Sequence, residues 1–133
     1  MRKILLSVIF FMCSLIVLGQ QDSSACLSFK KGAFSYKNDE GQLVYIKRTF
    51  HAQQETNTAT GTVTRHRIKW LSACTYEITQ TWSNRKTLRK KNGAGTVVHI
   101  TSTAKYSYEF SCACKGSTAT TLKGIVYRRN AGL

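Results

Sequence analysis

Apolar and polar side chains alternate with a period of two residues along much of the chain. The alternation is clearest in residues 62–70, 74–82 and 105–114, and it is weaker in 29–36, 42–50, 95–101 and 119–128. A period of two is the spacing of side chains on one face of a β-strand, and no 3.6-residue pattern of a helix competes with it. The sequence therefore predicts seven or eight antiparallel strands in meander order.

The connections between these stretches are too short for crossover helices. Leu71-Ser72-Ala73 separates one pair of predicted strands, and Asn38-Asp39-Glu40-Gly41 separates another. A small antiparallel sheet protects its edge strands best by closing into a barrel. We therefore expect an all-β fold, a small closed barrel of seven or eight strands that residues 20–133 form as a single domain.

The alternation assigns most aromatic side chains to the inner face of this barrel. They are Phe34, Tyr36, Trp70, Tyr76, Trp82, Tyr106, Tyr108 and Phe110. Small eight-stranded barrels are either filled by such side chains or hold one small ligand. Both interpretations stay open at this point, and a filled interior is the simpler of the two.

The N-terminal 19 residues have the composition of a secretory signal peptide. Arg2 and Lys3 precede an apolar run from Ile4 to Leu18, and Gly19 supplies the small residue before a cleavage site. An apolar run of about 15 residues is shorter than the roughly 20 that span a bilayer. We expect cleavage after Gly19, no transmembrane span in the mature chain, and a secreted or periplasmic protein.

Four cysteines follow the predicted cleavage site: Cys26, Cys74, Cys112 and Cys114. An even number of cysteines in an exported chain indicates disulfides, for which three connectivities exist. Zinc sites use close ligand pairs that recur, whereas Cys112-Ala113-Cys114 is one close pair without a neighbouring histidine. The sequence therefore predicts disulfides and neither a metal nor a cofactor.

The chain is strongly basic, with 20 lysines and arginines against six acidic residues and a net charge of +14. Such an excess attracts polyanions, here an anionic envelope or extracellular polymer such as lipopolysaccharide, an acidic glycan or extracellular DNA. A merely solvated surface is the alternative. Charge alone carries no base-specific recognition, so no sequence-specific nucleic acid is expected. The candidate residues are Arg65, Arg67 and Lys69 on one strand, and Arg85, Lys86, Arg89, Lys90 and Lys91 in one loop.

Sequence motifs of catalysis do not occur in this chain. His51, His66 and His99 stand outside any metalloprotease motif, and the chain has neither a nucleophile elbow nor a phosphate-binding loop. We therefore expect no catalytic residue. The alternation places His66 on the inner face of its strand, where a role in the core is the simpler interpretation.

Three spaced patterns in the first half of the chain resemble a known family. They are Cys26-x2-Phe29-x2-Gly32-x-Phe34-x-Tyr36, Ile46-x-Arg48-x4-Gln53-x-Glu55, and Ile68-x-Trp70-x-Ser72-x-Cys74-x-Tyr76-x-Ile78-Thr79. The family consists of small exported, mostly uncharacterised proteins of Bacteroidetes-type bacteria with a lipocalin-like barrel. Some members carry a DNA topoisomerase label, which a chain of 133 residues cannot justify.

The resemblance implies a Cys26–Cys74 disulfide, because both cysteines belong to the shared patterns. Cys112 and Cys114 then pair with each other or stay thiols, and a swapped pairing through either one is the alternative. The polar positions of the patterns have two interpretations. The first is that they bind a polar ligand. The second, simpler one is an Arg–Glu pair with an amide that closes the barrel end. The candidate ligand-binding residues are Arg48, Gln53, Glu55, Trp70 and Tyr76.

Together these features predict a monomeric, non-catalytic binding or envelope-associated module whose small ligand is unknown. Binding of a polyanion through the basic loop is the alternative function, and a small enzyme ranks below both.

Overall fold

The structure, a computed structural model, describes residues 23–89, 93, 95–113 and 121–130. The predicted signal peptide, Lys90, Lys91 and Cys114 lie outside the described residues. A short helix, α1 (Ser23–Leu27), comes first, and a single 3₁₀ turn occupies Lys86–Leu88. The strands are β1 (Gly32–Lys37), β2 (Leu43–Arg48), β3 (Ala52–Asn57), β4 (Val63–Trp70), β5 (Thr75–Ser83), β6 (Thr96–Thr103), β7 (Ser107–Ala113) and β8 (Thr121–Arg128).

Eight antiparallel strands form one closed barrel in the order of the chain. Each strand pairs with the next, and β1 pairs with β8 to close the sheet, with Phe34 opposite Arg128. Closure leaves no edge strand available for pairing with another chain. The predicted all-β meander barrel is thus confirmed, with eight strands.

Strand β3 was not recognised as a separate strand from the pattern of the sequence. Its inward-facing residues are Gln53, Glu55 and Asn57, which line the interior between β2 and β4. Period-two alternation of apolar side chains is absent here, because the inner face of this strand is polar. The strand that the pattern missed is therefore the one that carries polar groups into the barrel.

A β-bulge in β5 reverses the orientation of one predicted core residue. Arg65 lies opposite Trp82 and His66 lies opposite Gln80, so that Thr81 is the extra residue on β5. An extra residue changes the parity of the side chains that follow it. Trp82 therefore points outward and is 36% exposed, and its predicted place in the core is wrong.

Tyr106 is a second aromatic residue that lies outside the predicted core. Strand β7 begins at Ser107, so Tyr106 belongs to the turn before it and is 53% exposed. The other six predicted aromatic residues either belong to the buried cluster in the barrel interior or pack against that cluster.

The two ends of the barrel differ, and we call them the closed end and the open end. The closed end carries α1 and the connections 49–51, 71–74 and 104–106, and the open end carries the connections 38–42 and 58–62 and the segment 84–89. At the closed end Phe29, which follows α1, is buried with its ring centroid 5.1 Å from that of Tyr108. The N-terminal segment therefore plugs one end of the barrel.

A disulfide joins this plug to the barrel wall. The sulfur atoms of Cys26 and Cys74 are 2.07 Å apart, which confirms the predicted pair. A swapped pairing of either residue with Cys112 or Cys114 is therefore wrong. Cys112 is buried on the inner face of β7.

Candidate functional site

The guanidinium group of Arg48 is buried in the barrel near the closed end. Its Nε donates a hydrogen bond of 2.7 Å to Oε1 of Gln53, which lies opposite it in the β2–β3 register. Its Nη1 donates to the carbonyl oxygen of Phe29 at 3.1 Å. Its Nη2 donates to the hydroxyl groups of Tyr76 at 3.2 Å and of Tyr108 at 2.8 Å. Arg48, which lies on β2, thus connects the N-terminal plug to β3, β5 and β7 as well as to its own strand.

Arg48 stays charged in this environment. Burial pulls the pKa of its guanidinium down, but the oxygens of Tyr76 and Tyr108 raise it by more, so the pKa lies above the ordinary arginine value. Aromatic rings also surround the cation, with the centroids of Tyr76 and Phe34 at 5.1 and 5.2 Å from its Cζ. Rings at this distance attract a desolvated cation.

A second polar chain continues from Gln53 toward the open end. The Nε2 of Gln53 donates to Oε1 of Glu55 at 2.7 Å, and the Tyr36 hydroxyl donates to Oε2 of Glu55 at 3.0 Å. An Arg48–Glu55 pair was the simpler expectation for these residues. In the structure the Gln53 amide stands between the two charges, because its oxygen accepts from Arg48 and its nitrogen donates to Glu55.

Tyr36 and Tyr76 are held in their neutral form. Burial raises the pKa of Tyr36 well above the ordinary tyrosine value, and the neighbouring Glu55 carboxylate raises it further. Burial likewise raises the pKa of Tyr76, although the nearby Arg48 opposes that shift. Both hydroxyl groups therefore keep their protons throughout the ordinary pH range.

We expect the free energy of unfolding to fall steeply as the pH rises above about 10. In that range the unfolded chain releases the protons of Tyr36 and Tyr76, while the folded chain retains them, which favours unfolding. Two such groups lower the free energy of unfolding by about 2.7 kcal/mol per pH unit. Urea unfolding at pH 9, 10 and 11 measures this dependence.

The Tyr36→Phe variant is the control, since it removes one of the two groups. Its free energy of unfolding should fall about half as steeply over the same pH range. Equal slopes for the variant and the wild type would contradict the assignment to Tyr36.

Toward the open end, the residues that the structure describes do not fill the barrel interior. A cavity of about 150 Å³, here called the inner cavity, has Glu55 and Tyr36 on its wall. Gly124 leaves room for the Phe110 ring on this wall, because a Cβ there would come within 2.8 Å of the ring. Arg48 and its partners Gln53, Tyr76 and Tyr108 also line the inner cavity. The rest of its wall is apolar and consists of Ile46, Ile78, Val98, Phe110, Leu122 and Val126. A filled interior is thus found at the closed end alone.

A wider pocket of about 360 Å³, the mouth, lies at the open end and shares Tyr36 and Glu55 with the inner cavity. Its wall is mostly polar and includes Asn38, Gln42, Asn57, Thr60, Thr62 and Thr64. Hydrogen bonds hold this wall, because the amides of Asn38 and Asn57 both donate to Oε1 of Gln42, at 3.1 and 2.7 Å. The mouth is therefore preformed.

The β5–β6 connection forms one side of the mouth. Arg85 and Leu88 line the pocket. The Nη2 of Arg85 donates to the carbonyl oxygen of Thr60 at 2.7 Å, and Nε2 of Gln80 donates to that of Leu88 at 2.8 Å. Arg85, a predicted polyanion-binding residue, is thus engaged at the rim of the interior pocket.

Four of the five predicted ligand-binding residues come together in this network: Arg48, Gln53, Glu55 and Tyr76. Trp70 does not line either space. Its Nε1 donates to the Phe50 carbonyl oxygen at 3.1 Å, and Nζ of Lys30 lies 4.6 Å from its ring centroid at the closed end. Its predicted role in ligand binding has no support from this position.

The sequence pattern predicts Tyr36 as a core residue, whereas the structure places it in the candidate site. The sequence does carry a signal for this role, because Tyr36 falls on the inner face of β1 and has a hydroxyl group. A buried hydroxyl group needs a hydrogen-bond partner. His66 lies on the inner face of β4, as predicted.

The predicted polyanion-binding residues divide between two places. Arg65, Arg67 and Lys69 are exposed on the outer face of β4, and Arg89 lies beside Trp82 on the same side of the barrel. Lys86 is exposed in the β5–β6 connection.

Two negative findings hold within the part of the chain that the structure describes. No group of three or more His, Cys, Asp or Glu side chains there is arranged to hold a metal ion. The helices of that part are too short to cross a bilayer. No family model, curated protein or solved structure matches the chain.

Proposed function

We propose that this chain is an exported, non-catalytic barrel that binds a small ligand in the open half of its interior. The observation that carries this proposal is the position of Glu55, whose carboxylate lies on the wall of both the inner cavity and the mouth. A ligand that extends from one space into the other passes this carboxylate.

The hydrogen bonding of the site favours a ligand head that donates hydrogen bonds. Each oxygen of Glu55 accepts one bond from the protein, from Gln53 and Tyr36 respectively. An ionised carboxylate has about four acceptor sites, so acceptor capacity remains for a ligand. Arg48, in contrast, uses its nitrogen atoms on four protein oxygens and is poorly placed to take an anionic head.

The shape and chemistry of the two spaces complete the description of the ligand. The inner cavity accepts an apolar tail, because its wall is largely aliphatic and aromatic. The mouth is within the range of about 300–1,000 Å³ that small-molecule sites usually occupy. We therefore favour an amine or a polyhydroxylated molecule with a short apolar tail.

Export to the periplasm or the medium is part of this proposal. The signal-peptide pattern of residues 1–19 supports it, and the Cys26–Cys74 disulfide suits an oxidising compartment. The resemblance to small exported Bacteroidetes-type proteins points the same way.

Three probes with one tail and different heads test the proposal: hexylamine, hexan-1-ol and hexanoate. NMR titrations that follow the backbone amide signals of β1 and β3 measure their affinities. We expect hexylamine to bind most tightly and hexanoate least. In the Glu55→Gln variant the affinity for hexylamine should fall about tenfold, since a charge-assisted hydrogen bond is replaced by a neutral one.

The Glu109→Gln variant is the matched control, because it makes the same change of charge at an exposed position of β7 that lines neither the inner cavity nor the mouth. It should leave the affinity for hexylamine nearly unchanged. Tightest binding of hexanoate, or equal effects of the two variants, would contradict a binding site at Glu55.

A further inference from the structure

A compact basic surface lies on the outside of the barrel. Arg65, Arg67 and Lys69 alternate along β4, so neighbouring side chains of this row are about 7 Å apart. Lys47 and Gln54 extend the surface sideways, because Lys47 lies opposite Gln54 and Gln54 lies opposite Arg65. The bulge in β5 turns the ring of Trp82 onto this surface, and Arg89 lies beside that ring. We call this surface the basic face; its residues, all exposed, are Lys47, Arg65, Arg67, Lys69, Trp82 and Arg89.

Two arginines are held against the ring of Trp82. The Cζ atoms of Arg65 and Arg89 lie 4.9 and 5.7 Å from the ring centroid. The Nε of Arg89 also donates to the carbonyl oxygen of Ser83 at 2.7 Å, which fixes its guanidinium group beside the indole. The bulge at Thr81 brings this about, since without it Trp82 would point into the barrel.

Acidic side chains do little to neutralise the basic face. On the outer faces of β3, β4 and β5 the acidic residue is Glu77, which lies opposite Lys69. Its side chain occupies the space over Gly95, on the side of β6 rather than of β4. The three cations on β4 therefore have one acidic neighbour on these strands, Glu77, and its side chain is directed away from them.

We infer that the basic face binds single-stranded nucleic acid without sequence preference. Guanidinium groups match the geometry of phosphate oxygens, and a row of cations along a strand can follow a phosphodiester backbone. Bases of single strands stack on aromatic rings and on arginine planes, and the Trp82 cluster offers both. This combination favours nucleic acid over a sulfated glycan, whose sugars lack a planar base. The inference concerns the outer surface and does not depend on the interior site.

Fluorescence anisotropy of a labelled 20-nucleotide oligothymidine, titrated with nuclease-treated protein at several salt concentrations, tests the inference. For three to four phosphate contacts, the logarithm of the binding constant should fall with that of the salt concentration with a slope of about −2 to −3. The triple variant R65Q/R67Q/K69Q should lower the affinity at least tenfold and reduce this slope by about 2. The Trp82→Ala variant should lower the affinity about tenfold through lost stacking.

The triple variant K37Q/K105Q/K123Q is the matched control, because it removes the same charge from exposed positions outside the basic face. Its affinity should stay within about twofold of the wild type, and circular dichroism spectra check that each variant is folded. Equal losses in the two triple variants would overturn the inference, because binding would then reflect net charge alone. Tighter binding of a heparin fragment of equal charge, with no effect of Trp82→Ala, would also overturn it and assign the face to acidic glycans.

Discussion

Replacement of Arg48 with methionine is expected to lower the free energy of unfolding by about 3–5 kcal/mol. The change leaves Oε1 of Gln53, the Phe29 carbonyl and the hydroxyl groups of Tyr76 and Tyr108 without their donor. Each buried polar group that loses its partner costs about 1–3 kcal/mol, which outweighs the gain from no longer burying a cation. Urea unfolding followed by tryptophan fluorescence measures the difference.

The variant R48M/Y76F/Y108F separates lost hydrogen bonds from lost charge. It removes the two hydroxyl groups that the single variant leaves without a partner. Because two polar groups rather than four then lack a partner, the triple variant should be more stable than R48M. A single variant as stable as the wild type would show that the network does not hold the plug.

Removal of the disulfide is the second change with a large expected effect. The bond closes a loop with a sequence separation of 48 residues, and the double variant C26A/C74A should lose about 4 kcal/mol of unfolding free energy. The reason is that the unfolded chain has a higher conformational entropy when the disulfide is absent, which favours unfolding. For a chain of this size the melting temperature should fall by roughly 15 °C.

Reduction of the wild type provides the matched comparison for this double variant. Thermal unfolding with dithiothreitol should lower the melting temperature of the wild type to nearly that of the variant, and should not change that of the variant. A wild type whose melting temperature is insensitive to the reductant would contradict a stabilising role of the bond.

Both changes act on the plug, which bears on the proposed ligand site as well. Arg48 holds Gln53, and Gln53 in turn holds Oε1 of Glu55. The closed end is thus the rigid base on which the carboxylate at the inner cavity is oriented. A ligand site at the open end gains from this arrangement, because a preformed site loses less entropy on binding.

The candidate site shows where reasoning from sequence succeeds and where it stops. Arg48, Gln53 and Glu55 were singled out as polar positions, and the hairpin between β2 and β3 does bring Arg48 and Gln53 opposite each other. The strand that carries Gln53 and Glu55 was missed, because its inward residues are polar and apolar alternation is the signal of a half-buried strand. Tyr36, which completes the site, was seen as a core residue.

Properties that depend on neighbours along the chain follow from the amino-acid sequence alone. Alternation predicted every strand except β3, the short connections predicted the meander order, and the composition set the basic charge. Three properties follow only from the tertiary structure: the outward direction of Trp82, the position of Gln53 between Arg48 and Glu55, and the space that the described residues leave open in the barrel interior. The physical reason is that a bulge, the closure of a barrel and the packing inside it depend on strands distant in sequence. The extra residue Thr81 turns the side chain of Trp82 from the inner face, which alternation predicts, to the outer face of β5. There the Trp82 ring contacts Arg65 and Arg89.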